Sequence, residues 1–438
     1  MTDKKRVGVI SLGCDKNRVD TEKMLAILTE KHTLVNQLED AQIIIINTCA
    51  FLSSSREEAI AEIFSANQYK KDGSAEKIIV TGCLPQKFIG ELFEELYEVD
   101  AFLGVSDYGN ILQVIDRIYA GERVNAVGVP RGECGKKRVL TTDNYAYLKI
   151  ADGCSNHCTY CLIPYIRGKF RSVPKSDLIE EVKAIGKVNE LILVAQDTAR
   201  YGEDLTPKSS LTELIREISK IDDIGYIRLL YCYPENITDQ LIEEFKTNPK
   251  LIKYIDMPLQ HADDKVLKLM NRKGTGETYL ALIERLKSEI KDIAIRSTFI
   301  TGFPKESEEA FINLVNFLEG AKLFNAGFFK YSQEDGTAAA RLDGQIDEKV
   351  KSARLKKLYL AQKKIVRKNY SKFIGKTIEV LAEGFDADQL VYYGRAYFNA
   401  PDIDGKIYFF SGEEVEYGKY YQVEISKATG YDLYGERL

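Results

Sequence analysis

Residues 1–130 alternate short apolar runs with longer segments whose apolar residues recur at helical spacing. The apolar runs have the length and the Ile and Val content of buried parallel strands. The predicted strands are 7–12, 43–46 and 77–80, and the helical segments between them include 18–28 and 56–66. This alternation predicts an N-terminal α/β domain with a doubly wound parallel sheet.

The same alternation resumes across residues 140–370. The predicted strands there are 147–150, 191–195, 227–231, 254–257, 295–300 and 326–331, with helical segments that include 177–186, 211–220 and 308–318. Six such units predict a partial (β/α)6, TIM-like barrel, since a full barrel has eight. A basic amphipathic helix over 347–369 leads out of this domain, and a solvated connecting helix is the simplest interpretation of it.

The tail, defined as residues 371–438, has a different pattern. It is rich in Tyr and Phe, glycine interrupts it often, and apolar and polar residues alternate over 377–382, 406–410 and 420–425. These features predict a small OB-like antiparallel β-barrel. Because the tail has seven Lys and Arg against twelve Asp and Glu, it accounts for the whole net charge of −5. This acidity favours a basic partner over RNA, although it could also serve only to keep a small barrel soluble.

The overall composition is that of a soluble cytoplasmic protein. Of the 438 residues, 45% are hydrophobic and 29% are charged. No apolar stretch approaches the roughly 20 residues that a membrane helix needs, and the run at 7–12 is too short for a signal peptide. Structural disulfides are unusual in the cytoplasm, so the eight cysteines predict metal or cluster ligation instead.

Three cysteines occupy equivalent places in the N-terminal domain. Cys14, Cys49 and Cys83 each follow one of the predicted strands. The carboxyl ends of parallel strands lie along one edge of a sheet, so we expect these thiols to meet there. The alternative is three unrelated buried thiols, because cysteine is often buried.

Three more cysteines lie in a single loop, in the stretch ADGCSNHCTYCLIP. Cys154, Cys158 and Cys161 come directly after the first predicted strand of the barrel, on the face where barrel enzymes have their active sites. Three thiolates can ligate three irons of a four-iron cluster and leave the fourth iron open. The alternative is a structural zinc site completed by His157 or by a distant cysteine.

The Cys-x3-Cys-x2-Cys spacing, with Tyr160 before the third cysteine, resembles the radical S-adenosylmethionine superfamily. The resemblance implies a 4Fe-4S cluster on Cys154, Cys158 and Cys161 whose open iron binds S-adenosylmethionine. An electron from the cluster then cleaves this cofactor to a 5′-deoxyadenosyl radical. The resemblance also implies cofactor binding at Tyr160 and at Gly302, in the turn ITGFP.

The order of the three domains resembles the methylthiotransferases, which implies that Cys14, Cys49 and Cys83 hold a second 4Fe-4S cluster and that the tail is a TRAM domain. SLGCDKNRVDTE, MPLQHADDKVLKLMNRK and YSQEDGTAA resemble the branch that modifies an aspartate β-carbon in small-subunit ribosomal protein twelve. This branch implies two S-adenosylmethionine molecules and a reductant such as flavodoxin or ferredoxin. It implies no direct tRNA substrate and no catalytic residue beyond the cluster ligands.

Two other functions remain open from the sequence: a tRNA adenosine methylthiotransferase, and a non-enzymatic metal-cluster protein that docks through its tail. Cys134 and Cys232 match no ligand motif and are predicted to be non-ligand thiols. Val173, in RGKFRSVP, stands where the family leads us to expect an arginine. The polar pairs Gln196-Asp197 and Gln260-His261 end predicted strands and are either site residues or ordinary strand ends.

Overall fold

The computed structural model describes residues 4–132 and 135–438, and the α/β fold class predicted from the sequence is confirmed. The N-terminal strands are β1 (Arg6–Ser11), β2 (Thr33–Leu34), β3 (Ile43–Thr48), β4 (Lys77–Gly82), β5 (Ala101–Leu103) and β6 (Val124–Ala126). The helices are α1 (Asp15–Leu28), α2 (Ser53–Lys71), α3 (Cys83–Glu95) and α4 (Ile111–Tyr119). The strands form one parallel sheet in the order β2-β1-β3-β4-β5-β6.

The central region repeats the strand and helix alternation around a second sheet. Its strands are β7 (Tyr145–Lys149), β8 (Ala151–Asp152), β9 (Arg171–Ser172), β10 (Val188–Val194), β11 (Ile224–Leu229), β12 (Leu251–Gln260), β13 (Ala294–Thr301) and β14 (Asn325–Lys330). Its helices are α5 (Ile163–Ile166), α6 (Lys175–Ile185), α7 (Leu211–Ser219), α8 (Asp239–Thr247), α9 (Asp264–Leu269), α10 (Gly276–Glu289), α11 (Glu308–Ala321) and α12 (Glu348–Tyr370). Six strands pair in parallel in the order β14-β13-β12-β11-β10-β7, which is the predicted partial barrel.

The tail forms a closed five-stranded barrel from β15 (Thr377–Asp386), β16 (Val391–Arg395), β17 (Ile407–Phe410), β18 (Tyr420–Thr429) and β19 (Asp432–Arg437). The predicted antiparallel barrel is right except for one pairing, because β17 and β19 run parallel. A ring with an odd number of strands cannot close with antiparallel pairs alone, so one parallel pair is required. The proposed division into residues 1–130, 140–370 and 371–438 stays a prediction.

The tail barrel packs against the inner face of the central sheet. Side chains alternate across a strand, so Leu191 and Leu193 of β10 face the helices, whereas Ile192 and Val194 join a buried cluster with residues of the tail such as Phe398. Deleting the tail would therefore expose a large apolar surface of the central sheet. Point substitutions are the cleaner way to test what the tail does.

Buried ions reinforce this contact between sheet and tail. Glu190 of β10 accepts hydrogen bonds from Arg228 of β11 and, at 3.1 Å, from Arg395 of the tail. Both guanidinium groups are buried, and Glu190 partners each of them, which limits the cost of burying the charges. No helix in the described part of the chain is both long enough and apolar enough to cross a membrane.

Truncating Phe398 to alanine should lower the free energy of unfolding by about 3–5 kcal/mol, the usual cost of a buried aromatic ring. Phe398 has no exposed surface, and its ring centroid lies 4.6 Å from that of Phe373 and 5.1 Å from that of Phe324. Guanidinium denaturation of the full chain measures the change. The matched control is Phe410→Ala, since 55% of Phe410 is exposed and its loss should change stability by less than about 0.5 kcal/mol. Equal effects of the two changes would contradict the buried interface.

Candidate active site

Cys14, Cys49 and Cys83, called here the first triad, lie at one edge of the N-terminal sheet. Cys14 is the residue before α1, Cys49 follows β3 and Cys83 is the first residue of α3, directly after β4. The strands β1, β3 and β4 are neighbours in the sheet, so their carboxyl ends bring the three loops together. Helix N-termini favour negative charge, which suits Cys14 and Cys83 as thiolates.

Two glycines allow the loops of the first triad to touch. Gly13 has φ +89°, and a Cβ added there would lie 2.7 Å from the Cβ of Cys49 and 3.2 Å from its sulfur. Gly82 has φ +98°, and a Cβ there would lie 2.4 Å from Oδ1 of Asn47, on the strand that precedes Cys49. Both positions require glycine for their conformation and for the close approach. The three loops therefore form one compact cradle.

The electrostatics of the first triad fit a cationic cluster. Burial raises the pKa of the Cys83 thiol to about 12 and also raises the pKa of Cys49, and nearby thiolates of the triad raise both further. Three thiolates in this partly buried place would repel one another unless positive charge joined them. An iron-sulfur cluster supplies that charge, so the donor set fits the predicted group.

Cys154, Cys158 and Cys161, called here the second triad, lie in the loop that follows β8 at the carboxyl edge of the central sheet. The amide of Asn156 donates to the sulfur of Cys154 at 3.5 Å, and the amide of Ile163 donates to that of Cys161 at 3.4 Å. Amide donors of this kind stabilise thiolates and tune iron-sulfur clusters. The loop is therefore arranged for metal-bound sulfur.

The Cys158 sulfur lies beside a cavity, and unpaired polar atoms lie just after β10. Its sulfur is 3.4 Å from the hydroxyl of Tyr233, and a cavity of about 180 Å³ begins there. At the end of β10, both polar side-chain atoms of Gln196 and Oδ1 of Asp197 are buried without a hydrogen-bond partner among the described residues. Burial raises the pKa of Asp197 to about 6. Buried polar atoms normally have partners, so these atoms fit a polar cofactor such as S-adenosylmethionine.

Tyr160 and Gly302, the two predicted cofactor contacts, lie close together. The ring of Tyr160 meets that of Phe303 edge to face at a centroid distance of 6.5 Å. The Gly302 amide donates to the carboxylate of Glu306, and a Cβ at Gly302 would lie 2.3 Å from Cγ of Lys351. Side chains of the protein thus close the turn around Gly302. A role in cofactor binding stays a prediction for both residues.

Cys232, Cys134 and His157 belong to neither triad. Cys232 is fully buried in the segment after β11, where its amide donates to the carbonyl of Asp256 at 2.8 Å. Cys134 lies outside the described residues. His157 is exposed, and no three His, Cys, Asp or Glu residues within 4–132 and 135–438 are spaced to hold a single metal ion. A four-iron cluster allows wider spacing, since each thiolate binds a different iron.

Sequence reasoning missed two residues that surround the triads, Arg167 and Tyr233. Arg167 donates toward the sulfur of Cys83 from 3.9 Å although it belongs to the segment after Cys161. Its nearness to the second triad in the sequence was the available signal, but nothing in the pattern indicates a contact with the first triad. Tyr233 follows β11, and only the fold places it beside Cys158.

The partial barrel and its triple-cysteine loop define a radical S-adenosylmethionine enzyme. Residues 148–318 match the family model of the radical SAM superfamily, residues 6–104 match "Uncharacterized protein family UPF0004" and residues 374–438 match the TRAM domain. Among solved structures, the radical S-adenosylmethionine methyltransferase TsrM from Kitasatospora setae matches 75% of this chain and 75% of its own, with TM-score 0.55 and 11% identity. At that identity the likeness shows the fold alone.

Full-length relatives are far more similar. The ribosomal protein uS12 methylthiotransferase RimO of Clostridium botulinum strain Hall is 45% identical over 442 residues, covering 99% of this chain and 98% of the relative. The protein of the same name from Clostridium kluyveri is 46% identical over 444 residues, with the same coverage. The chain belongs to the ribosomal protein uS12 methylthiotransferase family.

Proposed function

We propose that this protein attaches a methylthio group to the β-carbon of an aspartate in small-subunit ribosomal protein uS12, using one 4Fe-4S cluster on each cysteine triad. The observation that carries the proposal is the pair of triads, each at the carboxyl edge of its own parallel sheet. The names of the relatives support the substrate. Because the relatives are named for a ribosomal protein, the cytoplasm is the proposed place of action.

The reaction requires hydrogen-atom abstraction, because a β C–H bond is too weakly acidic for a side-chain base. S-adenosylmethionine would supply an adenosyl radical on one-electron reduction by the second-triad cluster, and a second molecule would supply the methyl group to sulfur held at the first-triad cluster, which then bonds to the β-carbon radical. Cys154, Cys158 and Cys161 would hold three irons and leave the fourth open to the cofactor. Gln196 and Asp197 offer unpaired polar atoms to its polar groups. A flavodoxin or ferredoxin is the proposed source of electrons.

The route to the first triad passes the tail. A cavity of about 410 Å³ opens beside Cys14, and Arg18, Tyr231 and Asp402 are among its lining residues. Asp402 belongs to a loop of the tail, and its side chain is 60% exposed. The tail can therefore contact a substrate at the cluster itself, and an exposed carboxylate there suits a basic ribosomal protein better than tRNA.

The acidic run of Glu413, Glu414 and Glu416 lies elsewhere on the tail. The nearby Gly418 carbonyl accepts a hydrogen bond from Asn189, at the start of β10, whereas the cysteine loops lie at the opposite ends of the strands. The run is exposed to solvent. Its distance from the triads makes it the appropriate control for the role of Asp402.

The test of the function is a reaction of the reconstituted, reduced enzyme with uS12 and, separately, with tRNA. Mass spectrometry should find a methylthio group on an aspartate of uS12 and no modified adenosine. Modification of tRNA instead of uS12 would replace the proposal with the tRNA alternative. Absence of both products, together with no cleavage of S-adenosylmethionine, would favour the non-enzymatic protein.

Changing Asp402 to asparagine should weaken uS12 binding about two- to fivefold, since an exposed ion pair contributes up to about 1 kcal/mol. Asparagine is the chosen replacement because Asp402 has φ +65°, which asparagine tolerates. The change also leaves Arg18, 3.6 Å from Asp402, without this carboxylate, so the cavity would repel a basic partner. Titration of labelled uS12 at low salt measures the affinity.

The control Glu414→Gln removes one negative charge from the distant acidic run and should leave affinity within about twofold of wild type. Equal weakening by both changes would mean that overall charge, rather than the cavity beside Cys14, attracts the partner. Tighter binding by Asp402→Asn would contradict a basic partner.

A further inference from the structure

Arg167 crosses from the segment after the second triad to the first triad. Its side chain is almost completely buried, and Nη2 lies 2.6 Å from Oδ1 of Asn17 and 3.9 Å from the sulfur of Cys83. The same nitrogen is 3.1 Å from Oδ2 of Asp20. A guanidinium group from the central region therefore contacts a sulfur and two neighbouring polar groups of the N-terminal domain.

The same residue is also tied to the loop of the second triad. Its Nη1 is 3.1 Å from each carboxylate oxygen of Asp152, which is two residues before Cys154. The carbonyl of the next residue, Gly168, accepts the amide hydrogen of Cys154 at 3.0 Å. One short stretch of chain thus fixes the backbone at Cys154 and directs a positive charge at Cys83.

The charges around this guanidinium form a neutral buried set. Lys149 pairs with Asp20 and lies 3.6 Å from Asp152, so two cations face two carboxylates. Arg167 directs its charge at a cysteine, since its Nη2 donates toward the sulfur of Cys83 from 3.9 Å. A buried positive charge and a hydrogen bond beside a cluster sulfur favour the reduced cluster, which carries one more electron.

We propose that Arg167 is a positioning residue that sets the reduction potential of the first-triad cluster and holds the two cysteine loops in fixed relation. The proposal rests on the proposed function, which assigns a cluster to Cys14, Cys49 and Cys83. It extends that function because the reduction potential of the first cluster would depend on Arg167, a residue of the segment that follows the second triad. The contact passes through a single side chain, so substitution of that side chain tests it.

The test is a redox titration of the first cluster, followed by electron paramagnetic resonance. The full chain carries Cys154→Ala, Cys158→Ala and Cys161→Ala, so that only the first cluster contributes. In this background Arg167→Met should shift the equilibrium for reduction at least about tenfold toward the oxidised state, which is about 59 mV for one electron. Arg167→Lys keeps the charge and should restore most of the shift.

A second variant addresses the net negative charge that Arg167→Met would leave on the buried set, in which Lys149 would face both Asp20 and Asp152. Arg167→Met combined with Asp152→Asn keeps the buried set neutral, and asparagine can still accept the hydrogen bond from the Gly153 amide. The same shift is expected. The matched control is Arg138→Met, since the Arg138 side chain is equally buried between Glu22 and Glu181 at the same domain contact, and no hydrogen bond joins it to a cysteine among the described residues. It should leave the potential unchanged.

Each outcome decides the proposal. The proposal is supported if the potential shifts in Arg167→Met and in Arg167→Met with Asp152→Asn, is restored in Arg167→Lys and is unchanged in Arg138→Met. It is also supported if both Arg167→Met variants lose iron from the first cluster while Arg167→Lys keeps it. An unchanged potential at full iron content overturns it, as does an equal change in Arg138→Met, which would indicate a packing effect. The chain with Cys154→Ala, Cys158→Ala and Cys161→Ala should itself bind a cluster. If it binds none, or if its iron content does not change when Cys49→Ala is added, the assignment of a cluster to the first triad has failed, and this outcome is distinct from a failure of the role of Arg167.

Discussion

Replacing Cys154, Cys158 and Cys161 with alanine is expected to abolish the reductive cleavage of S-adenosylmethionine and to remove roughly half of the iron. Two clusters of the 4Fe-4S type contain about eight irons, and the second triad would hold four of them. Cleavage would depend on the cluster that these three cysteines are proposed to hold, so the remaining iron should not support it. Iron analysis after anaerobic reconstitution and detection of 5′-deoxyadenosine measure the two effects.

Cys232→Ala is the matched control for this experiment, because Cys232 is a buried thiol in the same region that belongs to neither triad. It should keep both the iron content and the cleavage activity. Formation of 5′-deoxyadenosine by the triple variant would show that the radical chemistry has been assigned to the wrong cysteines. If Cys232→Ala lost iron, Cys232 would be an iron ligand, although the structure does not place it with either triad.

Replacing Cys49 with alanine should stop the formation of the methylthio product while cleavage of S-adenosylmethionine continues. The two triads belong to different sheets, so the loop of the second triad should remain intact when a ligand of the first is removed. The smaller side chain fits beside Gly13, whose backbone lies against Cys49. Parallel assays of 5′-deoxyadenosine and of modified uS12 separate the two activities.

The result that would refute a shared first cluster is product formation by Cys49→Ala at the wild-type rate. Simultaneous loss of cleavage and product would instead show that the two cysteine loops depend on each other for folding. Arg167 contacts both loops, so Arg167→Met should then also reduce cleavage and product together. Arg138→Met, which removes a buried ion pair elsewhere in the same domain contact, should not have this effect.

Local pattern was sufficient to predict most of the elements. The apolar runs predicted as strands at 43–46 and 77–80 lie in β3 and β4, and the segment predicted as helical at 56–66 lies within α2. Strand and helix periodicities depend on neighbouring residues, so they can be read from a short stretch of sequence. Placement of each cysteine after a strand is a local feature as well, and together with parallel topology it was enough to predict that Cys14, Cys49 and Cys83 meet.

The sequence by itself thus determined the fold class, the order of the sheets and the two groups of cysteines. Only the tertiary structure showed that the tail packs against the inner face of the central sheet, that β17 pairs in parallel with β19, and that Arg167 contacts Cys83. These contacts join residues far apart in the chain. The contact between Arg167 and Cys83 spans 84 positions, and no local periodicity specifies which distant group will balance a buried charge.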